Sequence, residues 1–135
     1  MSHAVTGVDF DSPTLMAALA DLSDGELDVL PYGVIGFDAQ GHVARYNVYE
    51  SRAAAFPRDE VLGQHVFVEL APCFNNYLVA GRFDEAREHG SVLDETLPYV
   101  LTFRMRPTRV RLRLLSRPDQ PLRFILVQRA LGASA

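Results

Sequence analysis

The chain has 135 residues, nearly half of them apolar, and a formal net charge of -4. That length suits one domain with a sizeable core. The acidic balance argues against nucleic acid as the main partner, and no apolar run is long enough to span a bilayer. The basic residues other than histidine are all arginines, which excludes Schiff-base and P-loop lysine chemistry.

Residues 13–22 carry helical periodicity, with Leu15, Leu19 and Leu22 on one face and Ser12 as the expected N-cap. Ser23-Asp-Gly25 is expected to stop that helix, and Glu26 to Leu30 to form a short second one before Pro31. Tyr32 to Phe37 and His42 to Tyr46 read as paired strands around a turn at Asp38-Ala-Gln-Gly41. Asn47 is placed to cap a short helix from Val48, and Pro57 starts another that Gly63 ends. Tyr77 to Glu88 reads as the longest helix, with Gly90 in the capping place. Three strands follow, Val92 to Thr102, Arg109 to Leu115 and Leu122 to Gln128. In Arg109-Val-Arg-Leu-Arg-Leu the alternation is strict, which predicts one buried face and one solvated face carrying Arg109, Arg111 and Arg113. The order predicts an α+β fold, a central five-stranded antiparallel sheet with flanking helices and an N-terminal helical cap. The expected divisions are a cap over 1–28, a core over 29–130 and a disordered tail over 131–135.

Chemistry concentrates at Glu69-Leu-Ala-Pro-Cys-Phe-Asn-Asn76. Pro72 fixes its own φ and restricts Ala71, so Cys73 sits on a rigid corner between apolar segments. A single cysteine forms no internal disulfide, and no signal peptide is visible, as expected of a cytoplasmic protein. His3, His42, His65 and His89 have no metal-ligand spacing, so no metal site is expected. A haem ligand at His65 is a minor alternative. Triads, paired carboxylates and phosphate loops are missing from the pattern, so the protein is not expected to be an enzyme.

Asp24-Gly-Glu-Leu-Asp28, Gly33, Tyr46-Asn47, Glu50, Leu62-Gly63, Ala71-Pro-Cys73 and Met105-Arg-Pro-Thr108 carry a family resemblance. They resemble, in order and nearly in spacing, the photoactive yellow protein family of small PAS-domain blue-light receptors. The resemblance runs from Asp24 to Arg129, with one extra residue between Cys73 and Met105. It implies a PAS-like core and p-coumaric acid (4-hydroxycinnamic acid) bound covalently to Cys73 as a thioester. Tyr46 and Glu50 would hydrogen-bond the chromophore phenolate, Ala71 and Pro72 would flank the attachment point, and Met105 would line the far wall. Phe103 stands where the family often has tyrosine. Three departures alter the surroundings: Ala54 replaces a supporting threonine, Phe56 replaces the arginine at the pocket mouth, and Phe74 replaces a threonine after the cysteine.

The physical logic of the trio stands beside the resemblance. A buried phenol resists ionisation unless donors point at its oxygen. Tyr46 can donate, and Glu50 can donate when protonated, the form that burial favours. The resemblance implies signalling by chromophore isomerisation and proton transfer, read by an unknown downstream signalling protein. Neither nucleic acid nor membrane is an expected partner, and the expected state is a monomer or weak homodimer. Two alternatives remain: a PAS-type ligand-binding or protein-interaction module without the chromophore, and a thiol-dependent sensor or small enzyme using Cys73.

Overall fold

The computed structural model describes residues 8–102 and 107–129. Phe103, Met105 and the expected tail lie outside the described residues. β1 (Gly33–Phe37), β2 (Val43–Tyr46), β3 (Leu93–Leu101), β4 (Thr108–Ser116) and β5 (Arg123–Arg129) form one sheet in the order β2-β1-β5-β4-β3. Neighbouring strands are antiparallel throughout. The expected α+β architecture with a five-stranded sheet is what forms.

Both faces of the sheet are covered, which is why every residue of β1 is buried. Val34 faces the N-terminal cap, whereas Ile35 and Phe37 face the helical middle of the chain. The cap consists of α1 (Leu15–Asp21) and α2 (Asp24–Asp28). Leu15, Leu19, Leu22 and Leu27 pack there against Tyr32, Leu115, Phe124 and Leu126. Full burial of each such leucine is worth about 1.5–3 kcal/mol, which is the main force seating the cap.

Three local expectations are corrected here. Ser23 starts α2 more than it stops α1: its hydroxyl accepts from Glu26 N–H, and the Glu26 carboxylate accepts from Ser23 N–H at 2.8 Å. At the first helix the N-cap position is Thr14, not Ser12, and no side-chain cap bond forms. Arg113 is not on a solvated face, being 4% exposed. It donates to Phe10 O at 2.8 Å and Ser12 O at 2.7 Å, and both oxygens of Asp94 accept from it at 2.9 and 2.8 Å. Alternation did place the arginines on one face, but the cap covers that face, and Arg113 is consumed in holding the cap down. Arg111 lies nearer the edge, paired with Asp11 at 2.9 Å and over the Phe10 ring.

The other face is covered by α3 (Val48–Ala54), α4 (Arg58–Val61), a π-helical turn (Val66–Leu70), a 3-10 turn (Pro72–Phe74) and α5 (Ala80–His89). The last helix starts at Ala80 and not at Tyr77. Asn76 Oδ1 accepts from the N–H groups of Leu78 and Val79 at 2.9 and 3.2 Å, a local turn that competes with helix. Tyr77 is left 81% exposed as a result. Among the described residues, no helix is long and apolar enough to cross a membrane.

Candidate functional site

The site grows from the junction of β2 and α3. Asn47 is fully buried and uses all its side-chain polarity. Its Oδ1 accepts from Val34 N–H at 3.0 Å and Glu50 N–H at 3.2 Å. Its Nδ2 donates to Leu27 O and Tyr32 O, both at 2.9 Å. One side chain thus caps α3, pins it to β1 and ties it to the cap. A capped first turn leaves Glu50 pointing inward, where it is 0% exposed.

Gly33 makes room for that carboxyl. A Cβ on Gly33 would lie 1.9 Å from Glu50 Oε1, so a side chain there and Glu50 cannot share the space. Arg129, at the end of β5, meets Glu50 in a forked pair, Nη1 to Oε1 at 2.9 Å and Nη2 to Oε2 at 3.2 Å. The arginine side chain is 15% exposed, and its guanidinium lies 5.7 Å from the Tyr49 ring centroid. Burial pulls the Arg129 pKa down, but the hydrogen bonds and charge of Glu50 more than offset this, and the net direction is up. Two parallel N–H···O bonds are the strong form of this contact.

Tyr46 is buried, yet its hydroxyl lies 3.5 Å from Glu50 O, the outer limit of a hydrogen bond. Burial pushes the phenol pKa well up, the Glu50 charge adds to this, and Arg129 partly counters it.

Cys73 is half-buried on the 3-10 turn, at the corner expected of it. Its carbonyl accepts from Tyr99 Oη and from Asn76 Nδ2, the latter at 3.2 Å, while Asn76 Nδ2 also donates to Tyr99 Oη at 2.6 Å. These contacts fix the turn that carries the thiol. Burial raises the thiol pKa, hydrogen bonds from Thr102 and from the Cys73 main chain oppose this, and Glu50 raises it further. The thiolate is therefore scarce at neutral pH.

Tyr46, Ala71 and Phe74 belong to one apolar cluster, and Phe56 and Cys73 pack against it. Glu50 is close enough to influence both Tyr46 and Cys73 electrostatically. The sequence-predicted residues Cys73, Tyr46, Glu50, Phe56 and Ala71 are thus brought to one face of the sheet. Pro72 is exposed beside them, shaping the turn. Ala54 is buried, offering only a methyl group. Sequence reasoning missed Arg129, Tyr99, Asn76 and Thr102 as site residues. Arg129 was within reach: Ile125, Val127 and Arg129 share a strand face by simple alternation.

Comparison with known proteins identifies the family and the fold. No family model matches the chain. The photoactive yellow protein of Halochromatium salexigens is 34% identical over 107 residues, 79% of this chain and 85% of that protein. The chain belongs to the photoactive yellow protein family. Among solved structures of this family, the photoactive yellow protein domain of the sensor histidine kinase Ppr from Rhodospirillum centenum superposes with a TM-score of 0.77 at 33% identity. The match covers 84% of this chain and 98% of that domain. A PAS domain from Colwellia psychrerythraea shares the fold alone, with a TM-score of 0.54 at 11% identity over 78% of this chain and 90% of that one.

Proposed function

We propose that the protein is a photoactive-yellow-protein-like blue-light photoreceptor that binds p-coumaric acid as a thioester on Cys73. The observation that carries this reading is the convergence of the half-buried Cys73 thiol with buried Tyr46 and Glu50 on one apolar face of the sheet. The residues present fit an aromatic acyl group. Tyr46 brings a buried hydroxyl whose described contact is long, so its proton can be redirected to a ligand oxygen. Phe56 and Phe74 supply apolar wall, and the family relationship supports the position of Cys73.

When bound, the chromophore would supply light absorption and isomerisation. Tyr46 and Glu50 orient its phenol oxygen, Phe56 covers the site, and Ala71 and Pro72 set the direction of the thiol. Phe103 and Met105 would complete the wall. With the chromophore bound, Glu50 would take up a proton at its carboxyl oxygen and give it up on illumination. The readout passes to a downstream signalling protein, with the receptor acting as a cytoplasmic monomer or weak homodimer and not as an enzyme.

Intact mass and absorption spectra of protein treated with activated p-coumarate test the reading. The expected result is one adduct and a visible band, both lost in Cys73→Ala. An adduct that survives in that variant overturns the attachment site. Because thiolate is scarce at neutral pH, loading should accelerate as pH rises. A second reading, a PAS-type binding or interaction module without chromophore, is favoured by Phe56, which brings no cation to the site. Its signature is failure of the wild-type protein to take up the probe while remaining folded.

A further inference from the structure

The resemblance accounts for Cys73, Tyr46 and Glu50, and leaves Arg129 without a role. Its setting is specific. Gly33 provides the space in which the carboxyl lies, at the cost of a residue with no side chain in a central strand. Arg129 approaches from β5 on the same face as Ile125 and Val127, and its fork spans both carboxyl oxygens. Among the described residues, the groups facing Glu50 are Tyr46 from β2, Arg129 from β5, and Cys73 at longer range from the 3-10 turn, with the Arg129 guanidinium over the Tyr49 ring of α3. Arg129 is the cation among them.

Fully buried carboxylates require a partner, since an unpaired charge in an apolar setting is strongly disfavoured. Phe56 cannot provide one. We propose that Arg129 is the counter-ion of this site and receives the Glu50 carboxylate whenever Glu50 gives up its proton. The inference rests on the photoreceptor reading for its purpose but not for the pairing itself.

Atoms and charge balance in this step. In the loaded site one proton would leave a Glu50 Oε atom for an acceptor oxygen of the ligand, the overall charge of the site would be unchanged, and the negative charge would pass to a carboxylate already within reach of two guanidinium N–H donors. A charge created beside Arg129 is neutralised where it forms. It does not have to be relieved by opening the cap, so Arg129 lengthens the life of the deprotonated state.

Infrared spectroscopy of the chromophore-free protein at neutral pH tests the pairing, with Glu50→Gln as the reference that assigns the signal. Wild-type protein should show no carboxylic-acid carbonyl band from Glu50, and Arg129→Lys, which retains a cation, should also show none. Arg129→Met should gain the band, because desolvation then favours the neutral acid. A protonated Glu50 band in wild type, or its absence from folded Arg129→Met, overturns the proposal. Should Arg129→Met fail to fold, wild type and Arg129→Lys still decide, since a band in wild type refutes the pairing and its absence from both supports it.

In protein loaded with activated p-coumarate, Arg129→Met should recover in the dark about tenfold faster or more after a flash. An unchanged recovery rate removes Arg129 from the light-driven step. Failure of wild-type protein to load would count against the photoreceptor reading, while the infrared bands would still decide whether Glu50 and Arg129 are paired.

Discussion

Tyr32 and Tyr46 are buried on opposite faces of the same sheet, 1% and 3% exposed, and they are held in different ways. Tyr32, on the cap face, donates to Val8 O at 2.6 Å. Tyr46, on the site face, reaches only to 3.5 Å from Glu50 O. The arginines differ instead in the kind of partner, since both phenols face main-chain carbonyls and differ only in distance. Arg113 on the cap face is held by two main-chain carbonyls as well as Asp94, whereas Arg129 on the site face is held by the Glu50 side chain. Main-chain acceptors are fixed by the fold, and a short contact with them is structural, whereas the long Tyr46 contact leaves its hydroxyl weakly held. Side-chain partners can change protonation and move, so polarity placed between side chains can serve a switch. One face is built to stay, and the other to exchange partners.

Asn47 joins the two faces, and its loss should produce the largest effect. Asn47→Ala leaves Leu27 O, Tyr32 O, Val34 N–H and Glu50 N–H without their buried partner. The expected cost is about 4 kcal/mol in denaturant unfolding. Limited proteolysis should show the cap released before the sheet unfolds. If the cap stays as protected as in wild type, Asn47 does not couple the faces.

Arg113→Ala tests the cap face alone. Two main-chain carbonyls lose a buried charged donor, for an expected loss of about 3 kcal/mol, while Asp94 is exposed enough to be rehydrated at little cost. Spectral properties of the loaded site should be unaffected. A change in the site with intact stability would erase the division between the faces.

Gly33→Ala tests the site face. The new methyl group must displace Glu50, and overpacking of this kind costs about 2 kcal/mol. Thermal unfolding reports the cost. In the infrared experiment the same variant should disturb Glu50, and an undisturbed Glu50 would mean that the carboxyl does not occupy the space beside Gly33.

The smallest effects sharpen the comparison most directly. Tyr32→Phe should cost about 1 kcal/mol by removing a short buried hydrogen bond, and Tyr46→Phe under about 0.5 kcal/mol in the chromophore-free protein. Both phenols have pKa values raised, chiefly by burial. The unfolded chain ionises near the ordinary phenol value, so the stability due to these neutral phenols is full below about pH 10 and is lost as pH rises further. Each Phe variant should therefore flatten the alkaline fall in stability measured by denaturant titration. Equal costs for the two variants at neutral pH would contradict the contrast between the faces.

Much of this was legible in the sequence because it is local. Periodicity marked the strands and the cap leucines, Pro72 marked the corner at Cys73, and the Asn47 cap followed from its place before Val48. The family resemblance marked Tyr46, Glu50 and Cys73 together. Other features depended on which segment covers which face, a matter of distant contacts. Alternation alone could not say that the arginine face of β4 would be roofed by the cap, turning Arg113 from a solvated residue into a buried clamp. Nor could it say that Glu50 and Arg129, 79 positions apart, would meet over Gly33. The sequence by itself determined the elements and the chemistry they carry, since propensity and period act over a few residues. Only the tertiary structure decided which charges are buried and with whom, because burial depends on the packing of the whole chain.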